Sequence, residues 1–225
     1  MRVLIACEES QEVCKAFRNL GYEAWSCDLQ PASGGYPEWH IQDDVLYHLN
    51  ESWDLIIAHP PCTYLSKAGA RHMYKVIDGE PYINAKRYEL MLQGKSFFMK
   101  MLNAACNYIA VENPTPLKIC DLPHPSQVIQ PYEYGHPYSK RTLLWLKNLP
   151  PLQPTEVLTE YSTYLPSNTS MFANGHGGGK GIAHDPKDRS RTFSGIAKAM
   201  AEQWGKYVES GNEYPCYEEQ QISMF

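Results

Sequence analysis

The sequence predicts an α/β fold built on a largely parallel sheet with helices on both faces. Three observations carry this. Short apolar runs alternate along the chain with stretches of helical spacing. The two patterns come in turn rather than in blocks, as strand–helix–strand crossovers require. Polar clusters follow several of the apolar runs, and open sheets of this class bind ligands beyond the carboxyl ends of their strands.

Residues 3–6, Val3-Leu4-Ile5-Ala6, read as a first buried strand. Ser10 is placed to cap the next helix, where Val13, Ala16, Phe17 and Leu20 keep helical spacing until Gly21 stops it. Residues 23–27 form a second strand ending at Asp28, and residues 39–45 approach a third element carrying Asp43-Asp44. Residues 54–58 are a further strand, followed at once by His59-Pro60-Pro61-Cys62. Residues 67–81 read as a loop, a mobile lid over that turn. The longest helical pattern covers 86–107, with Leu90, Phe97, Phe98 and Met101 on its apolar positions. Residues 108–111 are a strand ending in Glu112-Asn113-Pro114; 141–146 form a late strand and 196–208 a late helix. Residues 150–190 are rich in Pro, Ser, Asn and Gly, and beyond Gly211 the chain turns polar and acidic.

The chain has 225 residues, enough to bury a full core, with 43% apolar and 20% charged residues. No run of 18 apolar residues exists, so no membrane span is expected. The first residues read as a strand rather than a signal peptide. Seven cysteines without a CxxC pair argue against a disulfide framework or a metal centre, and for reduced thiols in a cytoplasmic setting. A net charge of −5 counts against a broad duplex-binding surface, though not against a local basic channel.

Four strand ends carry chemistry. Asp28 can accept hydrogen bonds from ribose hydroxyls, or simply cap a turn. The first turn, Cys7-Glu8-Glu9-Ser10, lacks glycine; its carboxylates would repel a pyrophosphate and suit a cationic ligand. Cys62 is the sharpest candidate: two prolines make its frame rigid and hydroxyls flank it, which a thiol packed as a small hydrophobe does not need. Glu112 can serve as an acid or recognise a base, or act as a turn residue. His59 reads as a turn residue.

"HPPCTYLS" resembles the Pro-Cys nucleophile loop of DNA cytosine carbon-5 methyltransferases, and "AVENP" their Glu-Asn motif. "DLQP" and "DDV" resemble the acidic cofactor motifs of that family, "GHPYSKRTLLWL" its basic motif and strand, and "RSRTFSGIAKAMAEQW" its last cofactor motif and helix. The match is closest to short, phage-borne members. The resemblance implies a Rossmann-like S-adenosylmethionine-dependent methyltransferase domain over 1–210, with 150–190 as a small insertion where a target-recognition domain would stand. Residues 211–225 would be a flexible acidic tail. It further implies a base flipped from the stack, attack by Cys62 on ring carbon 6, Glu112 on the ring nitrogen and amine, and Lys140 or Arg141 on the carbonyl oxygen. Cys7, Glu8, Glu9, Ser10, Asp28, Asp44, Pro60, Thr192 and Phe193 would hold S-adenosylmethionine. Two departures stand out: "ACEES" replaces the glycine-rich first motif, and Tyr138-Ser139-Lys140-Arg141 lacks the expected glutamine.

Alternatives are an amino-group methyltransferase, which would carry an aromatic residue in place of Cys62, a non-catalytic methyltransferase-like protein that binds a host or replication partner, and an enzyme for nucleotides or single-stranded DNA. Gln221-Ile222-Ser223-Met224-Phe225 resembles the short peptides that dock on bacterial sliding clamps. DNA and such a clamp are thus the expected partners.

Overall fold

The computed structural model describes residues 1–78, 80–161 and 191–211. The chain runs β1 (Arg2–Ala6), α1 (Glu12–Asn19), β2 (Glu23–Asp28), β3 (His40–Gln42), β4 (Leu55–Ala58), β5 (Tyr74–Ile77), β6 (Glu80–Ile83), α2 (Ala85–Leu102), β7 (Tyr108–Pro114), β8 (Gln127–Ile129), β9 (Thr142–Lys147) and α3 (Ser194–Glu209). Seven strands form one sheet in the order β3-β2-β1-β4-β7-β9-β8. The strands from β3 to β7 run parallel, and β9 is antiparallel to both its neighbours. Strand order reverses between β1 and β4, the switch point at which such sheets open a crevice.

Alternation along the central strands feeds two cores. Val3, Ile5, Leu55 and Ile57 face α1 and α3, whereas Leu4, Ala6, Ile56 and Ala58 face α2. Every residue of β4 is buried, as a strand covered on both faces requires. The expected Rossmann-like α/β class, a largely parallel sheet with helices on both faces, is therefore the fold observed. Among the described residues no helix is long and apolar enough to cross a membrane.

Several local readings change. Ser10 does not cap α1. The N-cap position is Gln11, with φ 59°, and it makes no side-chain cap. The Glu8 carboxylate caps the helix instead, accepting from Val13 N at 2.7 Å and Cys14 N at 3.2 Å. A carboxylate reaching forward from the strand end can meet these two orphan donors, and its charge suits the helix N-terminus. The segment expected to be a loop over 67–81 holds a 3-10 turn (Lys67–His72) and most of the antiparallel β5–β6 hairpin. Helix α2 stops at Leu102, where Asn103 closes it and the chain turns into Cys106. Strand β7 continues through Glu112 and Asn113, paired with Leu144 and Leu143 of β9. Most of the loop-rich insertion, 162–190, and the tail with Gln221–Phe225 lie outside the described residues.

Candidate active site

Register alone collects the key side chains. Ala6 pairs with Ala58, and Ala58 with Val111. The next residue on each strand is Cys7, His59 and Glu112, side by side at the switch point with strands about 4.8 Å apart. His59 N donates to Ala6 O at 2.9 Å, carrying the alignment one residue past β4. Neighbouring parallel strands point paired residues to one face, so His59 and Glu112 meet: Nδ1 lies 2.8 Å from Oε2.

Beyond His59 the two prolines turn the chain, and Cys62 O accepts from both Leu65 N (3.0 Å) and Ser66 N (2.9 Å). This turn is stitched to the segment after Glu112. Lys67 N donates to Thr115 O, Leu117 N to Leu65 O, and the Asn113 side chain to Pro60 O at 2.8 Å. Asn113 is 1% exposed, so that bond works in a dry setting where it is strong. On the far side the Arg87 guanidinium donates to Thr63 O and lies over the Tyr64 ring. Cys62 is thus held by the body of the sheet, and its thiol remains partly accessible.

The electrostatics of this group are coupled. Burial raises the Cys62 pKa and the Glu112 carboxylate adds to that, while Lys140 and Ser66 pull it back. Burial works against the ionised Glu112, but the His59 bond and charge, with Lys140, hold the carboxyl below its ordinary value. Burial likewise opposes a charged His59, yet Glu112 and then Glu8 outweigh it and raise its pKa. The contact thus favours the charged form of both partners, a protonated ring beside an ionised carboxyl.

Of the two cations left open by the sequence, Lys140 acts on Cys62, His59 and Glu112, and its ammonium lies 5.8 Å from the Phe193 ring centroid. Gln130 fixes its backbone, accepting from Lys140 N at 3.0 Å. Arg141 is exposed. Phe193 stands at the N-cap of α3, 4.9 Å from the His136 ring, and so belongs to this side of the cleft.

The other side is a cavity of about 390 Å³, within the range of small-ligand sites. It gathers Cys7, Glu8, Glu9, Ser10, Asp28 and Thr192, together with Gln30, His59, Pro61 and Arg191. Pro61 lines it rather than Pro60. Asp44 does not line it; its Oδ1 accepts from Leu46 N at 3.0 Å and caps a short turn. Cys7 adopts φ 60°, a conformation usually left to glycine, and Gln11 repeats it. The β2–β3 loop closes over this turn: Ser33 N donates to Glu9 O at 2.8 Å, and Gln11 and Tyr36 exchange bonds of 2.8 and 3.1 Å. A side chain on Gly34 would stand 2.4 Å from Ser10 O. Glu9 and Asp28, with Glu8 committed to capping α1 and no glycine-rich phosphate cradle present, fit a nucleoside bearing a positive charge better than a dinucleotide. A larger cavity of about 610 Å³ between α1 and α3 holds none of these strand-end groups.

The sequence reads His59 as a turn residue, whereas the structure sets it in hydrogen-bond contact with Glu112. The available signal was its position: one residue past an all-apolar strand, in register with the acidic residue of the next strand. No family model and no curated protein matches the sequence. Among solved structures, the chain resembles a protein of an E. coli prophage assigned as a DNA modification methyltransferase. Identity is 14%, the TM-score 0.44, and coverage 70% of this chain and 52% of that one. A mutant of Spodoptera frugiperda DNMT2 matches at 15% identity and TM-score 0.36, over 73% of this chain and 57% of that one. The chain thus spans somewhat more than half the length of each.

Proposed function

We propose that the protein transfers a methyl group to carbon 5 of cytosine in DNA through a covalent cysteine adduct. The observation that supports this most is the juxtaposition at the ends of β4 and β7. A rigidly framed thiol, a buried carboxylate and a lysine act on one another across a single cleft. Bound in the neighbouring cavity by Asp28 and Glu9, S-adenosylmethionine would supply an electrophilic methyl group.

The chain's own groups divide the remaining work. Cys62, as thiolate, adds to ring carbon 6. Glu112 meets the ring nitrogen and the exocyclic amine, so that the charge pushed into the ring is neutralised where it develops. Lys140 faces the carbonyl oxygen of the base. After carbon 5 has lost its proton, the thiolate leaves carbon 6 and the ring is restored. The raised thiol pKa means that the resting site holds a thiol, so the rate rises with pH as the thiolate forms.

The test is incubation with labelled methyl donor and DNA, followed by digestion to nucleosides. Label in 5-methylcytosine is the expected result. Label on an exocyclic amine would assign amino-group chemistry, and no label would favour a non-catalytic binding protein.

A further inference from the structure

In the mechanism above, Glu112 must deliver a proton to the ring nitrogen, yet the resting carboxyl is ionised. A carboxylate cannot donate. The proton must come from a group that touches Glu112, holds a proton at neutral pH and lies away from solvent. Of the groups around Glu112, His59 is in hydrogen-bond contact with it and is itself enclosed.

His59 Nδ1 lies 2.8 Å from Glu112 Oε2, and the two side chains are only 14% and 16% exposed. Its other nitrogen, Nε2, is buried with no hydrogen-bond partner among the described residues. A histidine retained for packing usually has both nitrogens satisfied. Here one nitrogen is committed to Glu112 and the ring borders the cavity. The groups that act on it are Glu112 from β7, Glu8 from the β1–α1 turn and Lys140 from the segment before β9. Glu9, Asp28 and Arg191 line the same cavity. Burial and Lys140 oppose a charge on the ring, and Glu112 and Glu8 favour it by more, which raises its pKa.

Resting on the carbon-5 reading, we propose that His59 stores the proton that Glu112 passes to the base. The step balances. As Cys62 Sγ bonds to carbon 6, the carbon 5–carbon 6 electron pair moves into the ring toward the ring nitrogen. Glu112 Oε2 takes the Nδ1 proton of the imidazolium, and the carboxyl group so formed turns and gives that same proton to the ring nitrogen. Glu112 ends as it began, a carboxylate, and His59 ends neutral. When the thiolate leaves, the proton returns by the same path. His59 acts through Glu112 and is a positioning residue, with a proton to lend.

The test needs no methyl donor. Thiolate addition at carbon 6 makes carbon 5 nucleophilic, so a [5-³H]cytosine oligonucleotide should lose tritium to water with the full-length protein alone. For the wild type we expect release that rises with pH as Cys62 ionises and falls again as His59 deprotonates. His59→Asn keeps an N–H donor for Oε2 but stores no proton. It should slow release about 10²- to 10⁴-fold and move the falling limb to lower pH, where Glu112 must carry its own proton. With Glu112→Gln already present, His59→Asn should cost nothing more, because the two act as one unit. An unchanged limb in His59→Asn, or an additive loss in the double variant, would overturn the proposal. If His59→Asn fails to fold, the His59 ring nitrogen NMR shifts of the wild type decide: a neutral imidazole at pH 7 overturns it. Wild type without Cys62-dependent release removes the carbon-5 reading itself, and the inference falls with it. Release with an unaltered His59→Asn profile removes the inference alone.

Discussion

The two halves of the cleft are built differently. On the β1–β2 side the acidic turn is largely architecture. Glu8 spends both carboxylate oxygens on the amides of α1, Cys7 and Gln11 take left-handed conformations, and the β2–β3 loop is bonded over them. On the β4–β7 side the stitching is done by backbone bonds of the 62–67 turn and by the Asn113 side chain. That leaves Glu112 and Lys140 to act on both Cys62 and His59. Residues of one type can thus differ in role. Glu8 is 5% exposed and holds a helix; the Glu112 side chain is 16% exposed and meets His59. What separates them is the partner: two backbone amides in one case, an ionisable ring in the other.

Substitutions can break this contrast. The largest effect is expected at Glu112. Glu112→Gln keeps the shape but cannot relay a proton, so turnover should fall roughly 10²- to 10⁴-fold in single-turnover assays, with donor binding unchanged. If binding weakens as much as turnover, the two halves are not separable. Next comes Lys140→Ala, which removes a charge aimed at the reacting group. A loss of about 10²-fold in turnover is expected, and Arg141→Ala should cost at least tenfold less. The reverse order would move the cationic role to Arg141.

On the other half the effects are smaller and of another kind. Asp28→Ala should weaken S-adenosylmethionine binding by calorimetry roughly 10- to 100-fold, the worth of a hydrogen bond to a charged group of about 1.5–3 kcal/mol. Turnover at saturation should change little. Glu8→Ala removes the helix cap and should lower unfolding free energy in urea by up to about 2 kcal/mol. If Glu8→Ala instead abolishes donor binding while stability holds, Glu8 is a ligand group and the contrast fails.

Much of this was legible in the sequence, and the reason is periodicity. Buried parallel strands read as short apolar runs, so β1, β2, β4 and β7 stand out with their polar ends. The Pro-Pro-Cys frame and Glu112 were found because residue type and position agree. What failed were choices between equivalent donors or acceptors. Ser10 is a better cap by composition than Glu8, but capping depends on where the turn aims a side chain, and two left-handed residues set that aim. Lys140 and Arg141 are adjacent, and only the start of β9 decides which faces inward. His59 acquires its meaning from register with a residue 53 positions away, which no local pattern encodes. Residues 67–81 show no clear strand alternation in the sequence, so they read as a loop where the structure has a 3-10 turn and a hairpin.

The central claim is that Cys62 forms a covalent bond to the base in a site completed by Glu112. Trapping tests it most directly. DNA carrying 5-fluorocytosine cannot lose its carbon-5 substituent, so addition and methyl transfer should leave protein and DNA joined. Wild type with S-adenosylmethionine should give a denaturant-stable adduct whose peptide map places the bond on Cys62, and Cys62→Ser should give none. An adduct that persists in Cys62→Ser, or methylation of ordinary DNA by that variant at the wild-type rate, would contradict the account.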